Sequence, residues 1–214
     1  MRVQVLIKFK ANVDVADNAM GLTCLHAAAT GRIVTLLTTA KADVAKVKLS
    51  NHGSALEWHC TKNHIDCVQA LLRAKADVEQ ARPSGATPLW MAAFKGQKAP
   101  LCVLLRAKAA VNRCNQRGTA PLSIACQKSS SEVTRMLVTA KANVNRFNET
   151  GFSPLCIASH QGDTETVRLL LKAKATLNLC SRDGVNALYA AAQGARADTT
   201  LLLLAAKVEV NQFS

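Results

Sequence analysis

The feature that most constrains this chain is a recurrence. The segments "FKANVD", "AKADVA", "AKADVE", "AKAAVN", "AKANVN", "AKATLN" and "AAKVEV" carry Lys10, Lys41, Lys75, Lys108, Lys141, Lys174 and Lys207, most of them 33 residues apart. A second register agrees with the first. "TCLHAAA", "SALEWHC", "TPLWMAA", "APLSIAC", "SPLCIAS" and "NALYAAA" put Leu25, Leu56, Leu89, Leu122, Leu155 and Leu188 in one column, with steps of 31 and then 33. Two independent motifs sharing one period define a repeat architecture. Each unit is too small to bury a core alone and depends on stacking against its neighbours.

The fifth copy shows how a unit is built. Ser153 is placed to cap a short helix, and Pro154 takes a first-turn position where a missing N–H does no harm. Behind the leucine lies a small column, Ala28, Ala92, Ala125, Ala158 and Ala191, which lets neighbouring helices approach closely. Gly162 and Asp163 break and recap the chain before a second helix, "TETVRLLLKAK", with Val167, Leu170 and Leu171 on its apolar face. The turn "NRFNETG" connects this unit to its neighbour.

"GATPLWMAA" and "GFSPLCIAS", each followed by a second apolar helix and an "AxxVN" element, resemble ankyrin repeats, and the resemblance covers nearly the whole chain. It implies a mainly α fold: an ankyrin-type solenoid of hairpin-like turns, each followed by two antiparallel helices. The expected units are 11–41 (shortened), 42–75 (degenerate), 76–108, 109–141, 142–174 and 175–207, with a partial repeat at 1–10 and the start of a further turn at 208–214.

Two copies depart from the pattern. "AAATGRIVTLL" is about three residues short where the second helix should start, which removes nearly one helical turn. The second copy has one extra residue in "KVKLSNHG" and places Trp58 and His59 where its neighbours have medium apolar residues and alanine. Local distortion is expected around Ala27 to His64. Neither end carries a polar capping repeat, so Leu6, Leu201 and Leu204 are expected at poorly covered ends.

Composition narrows the partners. The 214 residues include 27 Lys and Arg against 14 Asp and Glu, a formal charge of +13. Such a surplus favours an acidic partner, whether an acidic protein face, nucleic acid or an anionic membrane surface, the last two ranked behind the first. Aromatic residues make up only 4%, and the lysines are dispersed by the repeat, without a compact basic run or a stacking platform, so nucleic acid ranks behind an acidic protein face. Eight cysteines lack disulfide-framework spacing, and "MRVQVLIKFKANVDV" does not read as a signal peptide. A reducing compartment is expected, the cytoplasm first and the nucleus second. The longest strongly apolar run, "LLLLAA", is far below the roughly 20 residues of a membrane-spanning helix, so no membrane insertion is expected.

Chemistry is sparse. His59, Cys60, His64 and Cys67 offer zinc-type ligands within "WHCTKNHIDC". Cys60, however, falls in a small buried column with Ala29, Ala93 and Cys126, and His59 points about 100° away from it on a helix. The structural reading is preferred and no metal or cofactor is assigned. His26, in "TCLHAA", matches the family's motif, where the resemblance implies hydrogen bonds to nearby turns. Glu57, Trp90, Ser123, Cys156 and Tyr189 replace it in the other copies, so a histidine network is expected to be lost. No nucleophile elbow, phosphate-binding loop or dinucleotide fingerprint occurs, and the chain is expected to be non-catalytic.

The resemblance implies protein recognition through turn tips and the ends of the first helices on a concave face. Carried over by position, that face includes Phe94 and Lys95; Arg117, Thr119, Gln127 and Lys128; Glu149, Phe152, His160 and Gln161; and Arg182. Arg113 and Arg146 add to its positive charge. Phe94 and Phe152 are its sharpest members, since an aromatic at a surface column can anchor a partner or simply pack on its own turn. The runner-up reading is a regulatory or targeting segment of a longer enzyme or channel. The partner's identity and the oligomeric state are left open.

The lysine column holds one further expectation. The family usually has glycine there, because helices commonly end with a left-handed residue. Lysine in that conformation costs about 1 kcal/mol or more relative to glycine, partly offset by about 0.3–1 kcal/mol from its charge at the negative helix end. The seven lysines would form a ladder along one edge, either a functional feature or a product of repeat duplication.

Overall fold

The computed structural model describes residues 11–47 and 53–206. The described residues form twelve helices and no strands, with isolated bridges joining Ala16 to Thr23 and Val47 to Ser54. Lys10, Lys207 and Leu6 lie outside the described residues. The chain divides into two compact units, Met1–Ala110 and Val111–Ser214.

The first unit holds three helix pairs: α1 (Cys24–Ala27) with α2 (Gly31–Thr39), α3 (Ala55–Thr61) with α4 (Ile65–Arg73), and α5 (Pro88–Phe94) with α6 (Lys98–Arg106). The second holds α7 (Pro121–Gln127) with α8 (Ser131–Thr139), α9 (Pro154–Gln161) with α10 (Thr164–Lys172), and α11 (Ala187–Gln193) with α12 (Ala197–Ala205). Within each unit, first helices pack on first helices and second helices on second helices. This is the ankyrin-type solenoid that the repeat implied.

Packing explains the columns. Leu25, Leu56, Leu89, Leu122 and Leu155 are buried, as are Leu37, Leu71, Leu104, Leu137, Leu170 and Leu203 on the second helices. The alanine column is buried too, which brings backbones together. Ser153 caps α9 by accepting from the Cys156 N–H at 3.2 Å, and Pro154 sits in the first turn. On α10, Val167 and Leu170 are buried, while Leu171 is half-buried. Leu201 and Leu204 on α12 are exposed, at 66% and 46%.

Every described ladder lysine is left-handed. Lys41, Lys75, Lys108, Lys141 and Lys174 have φ between 61° and 66°. Each follows an alanine that ends a second helix, and the chain closes with paired reverse bonds. In the fourth copy, Lys141 N–H donates to the Val138 carbonyl and Ala142 N–H to the Leu137 carbonyl, both at 3.0 Å. This is the Schellman closure that glycine usually completes. The first helices are followed by the same kind of turn at Asn63, Gly96, Ser129, Gly162 and Ala195, all with positive φ. A Cβ at Gly162 would also meet the Arg196 side chain, whose Cδ lies 2.5 Å from that position and would have to shift.

The shortening in the first copy falls on α1, which has four residues where α3, α5, α7 and α11 have seven. Of the distortion expected around Ala27 to His64, the truncated end of α1 is present, whereas the second copy's α3 shows none. Helix α3 is regular despite Trp58 and His59, and it closes at Asn63 like its counterparts. His59 is fully buried, and its Nε2 donates to the Leu25 carbonyl at 2.8 Å, in the truncated α1. A large side chain in an alanine column thus serves a carbonyl of a helix cut short one repeat earlier.

Candidate partner-recognition surface

The motif column organises the surface between neighbouring first helices. Its first member, His26, is buried: its Nδ1 lies 2.8 Å from Thr23 Oγ1, and its Nε2 lies 3.1 Å from the Gly53 carbonyl in the next turn. The structural role implied for His26 is what the geometry shows. In the second copy, Glu57 is buried and Arg82, in the following turn, grips it with two bonds of 2.5 and 2.6 Å. In the fifth copy, the Cys156 thiol lies 3.8 Å from the carbonyls of Leu179 and Val185. Histidine is gone from the later copies, but in these two the tie to the next turn persists through other chemistry.

The column borders filled space in one unit and a groove in the other. In the first unit it holds His26, Glu57 and Trp90, and Trp90 stacks on Phe94 with centroids 5.5 Å apart and planes 11° apart. In the fifth copy, a groove of about 210 Å³ lies between α9 and α11, lined by Phe152, Cys156, Ile157, His160, Ala190 and Gln193. Tyr189, 51% exposed, belongs to the same helix as Ala190.

The residues expected to bind a partner separate into groups. Phe152 and His160 line the groove, Phe152 half-buried and His160 exposed. Arg182 is exposed on the adjoining turn and lines a second depression of about 260 Å³ with Phe147, Asn148, Gly151, Cys180 and Ser181. Arg113, Arg117, Lys128 and Arg146 are exposed in the same unit. Phe94 and Lys95 belong to the first unit, where Phe94 is half-buried and Lys95 Nζ stands 5.3 Å from its ring centroid.

The histidine and cysteine cluster around α3 has protein partners. His59 Nδ1 lies 3.1 Å from His64 Nδ1, and Cys67 Sγ lies 3.6 Å from the Ala28 carbonyl. Burial pushes the Cys60 thiol above its ordinary range and holds His59 below the usual histidine value. Among the described residues, no group of three or more His, Cys, Asp or Glu side chains is arranged to hold a metal ion.

The sequence reading missed a ladder of acceptors. Asp14 Oδ1, Glu79 Oε1, Asn112 Oδ1 and Asn145 Oδ1 accept from the backbone N–H of Asp43, Ala110, Asn143 and Thr176, at 2.7 to 2.9 Å. Its signal was the last residue of the "AxxVN" element, which carries a side-chain oxygen in most copies, although Ala45 breaks the series. Each of these bonds ties a turn to the one that follows.

Three matches to ankyrin repeats, over residues 32–113, 56–148 and 140–214, span most of the chain, which belongs to the ankyrin-repeat family. No curated protein matches it. Ankyrin repeats are in general protein–protein interaction modules. No described helix is long and apolar enough to cross a membrane.

Proposed function

We propose that the chain is a non-catalytic protein-recognition module that engages an acidic partner through turn tips and first-helix residues. The observation that carries this reading is the groove lined by Phe152 and His160, with Arg182 on the turn beside it. Side chains held on stacked helices lose little conformational entropy on binding, which favours recognition by a preformed surface. Arg113, Arg117, Lys128 and Arg146 extend the positive character of this unit, and Phe94 with Lys95 supplies a smaller patch in the first. The family's general role supports a protein partner over nucleic acid. The dispersed cysteines favour a reducing compartment, cytoplasmic before nuclear.

Affinity capture from native cell extract tests this, with the wild-type chain compared with Phe94→Ala/Phe152→Ala. The expected result is a set of captured proteins that shrinks in the double variant. An unchanged set would reject the surface. Retention of nucleic acid in place of protein, lost on raising the salt, would reject the partner class.

A further inference from the structure

The groove in the second unit is too small for a drug-sized ligand, which needs about 300–1,000 Å³, and has room for one or two side chains. Its walls are the faces of α9 and α11. Phe152 marks one end, at the turn, and His160 and Gln193 mark the other, where the two helices stop.

A cation stands near each end. At the turn, Arg182 is exposed, and its backbone nitrogen lies 3.1 Å from where a Cβ on Gly151, next to Phe152, would be. At the helix ends, Arg196 Nε donates to the carbonyl of His160, a groove residue, at 3.1 Å, while its side chain lines a separate depression with Ala192, Ala195, Ala197, Thr200 and Leu201. Neither arginine pairs with a carboxylate among the described residues. Both are exposed and able to take one from outside. The same unit has exposed acids at Glu132, Glu149, Glu165, Asp183 and Asp198, the last on the helix that follows Arg196, but also the exposed cations Arg113, Arg117, Lys128, Arg146 and Lys141, so cations remain in excess once Arg182 and Arg196 are added.

The spacing sets the ligand. Pro154 to His160 is six helical residues, about 9 Å at the helical rise of ~1.5 Å, with Phe152 two residues before the helix. An extended peptide covers such a span in about three to five residues at ~3.3 Å each. We infer that the groove takes one apolar side chain of an extended acidic peptide whose flanking carboxylates, about three to five residues apart, meet Arg182 and Arg196. This rests on the protein-recognition reading and adds to it the chemistry of the partner segment.

A phage-displayed library of random 12-residue peptides, panned against the full chain, tests the inference. Enriched peptides are expected to share one apolar residue with Asp or Glu on both sides. Affinity of a synthetic enriched peptide should fall about ten-fold or more in Ile157→Asn and in Arg182→Glu/Arg196→Glu. It should stay within about two-fold in Lys75→Glu. Far-UV circular dichroism checks that each variant is folded, and the exposed arginines serve if Ile157→Asn is not. Enriched peptides without acidic residues, no enrichment, or affinity indifferent to the arginine variant would overturn the inference. Peptides that bind elsewhere on the chain would overturn the groove and leave protein recognition standing, whereas native extract yielding no captured protein would remove the broader reading.

Discussion

The junctions among the first three repeats and the junction between the last two solve one problem in opposite ways. In the first region, polar side chains fill the space between neighbouring first helices: His26 reaches Gly53, His59 reaches Leu25, and Glu57 is held by Arg82. In the last, Cys156 occupies the corresponding motif position and a groove remains between α9 and α11. The same motif position therefore borders filled space in one region and an open groove in the other. The regularity of α3 beside the truncated α1 shows how far such filling can preserve the repeat geometry.

The largest expected effect breaks a filled junction. Arg82→Ala leaves the buried Glu57 carboxylate without its guanidinium and should cost about 3 kcal/mol, measured by urea denaturation. His160→Ala, on the exposed rim of the groove, should change stability by under about 0.5 kcal/mol. Equal effects would erase the distinction between the two regions.

His59→Ala comes next, at about 2 kcal/mol, for a cavity and a carbonyl left without its donor. His59 also sharpens the comparison through pH. Burial holds its folded-state value below the ordinary 6.5, so in the window between the two values the unfolded chain binds more protons than the folded one. Stability must fall as pH drops through that window and level off beneath the folded value. The urea midpoint should fall between about pH 7.5 and pH 5.5, and His59→Ala should flatten that slope. His26, His64 and Asp66 face the same imidazole, and their charges are part of the response.

The smallest effect concerns the ladder. Lys141→Gly relieves a left-handed side chain but removes a cation from a helix end, so a net gain of up to about 1 kcal/mol is expected. Lys141→Val, β-branched in the same conformation, should be destabilising. A Gly variant less stable than wild type would contradict the strain.

Much of this was legible in the sequence. A period of 33 marked by two columns pointed to the helix pairs, and the mismatch of lysine with a glycine position pointed to left-handed backbone. The shortening of the first copy could be counted directly. What sequence could not show were contacts across repeats. That His59 would serve the Leu25 carbonyl depends on a side chain and a helix end 34 residues apart. Glu57 read as a lost histidine because its partner, Arg82, lies in the next repeat's turn. Phe152 and His160 were visible as candidates, but the groove joining them needed Ala190 and Gln193 on the neighbouring helix.

Recognition by the first helices and turns of the second unit is most directly tested by amide hydrogen exchange on the chain with and without its captured partner. Added protection is expected over residues 152–160 and 187–193, at α9 and α11, with the second helices α8, α10 and α12 unchanged. Protection centred on those second helices, with α9 and α11 unaffected, would contradict the account.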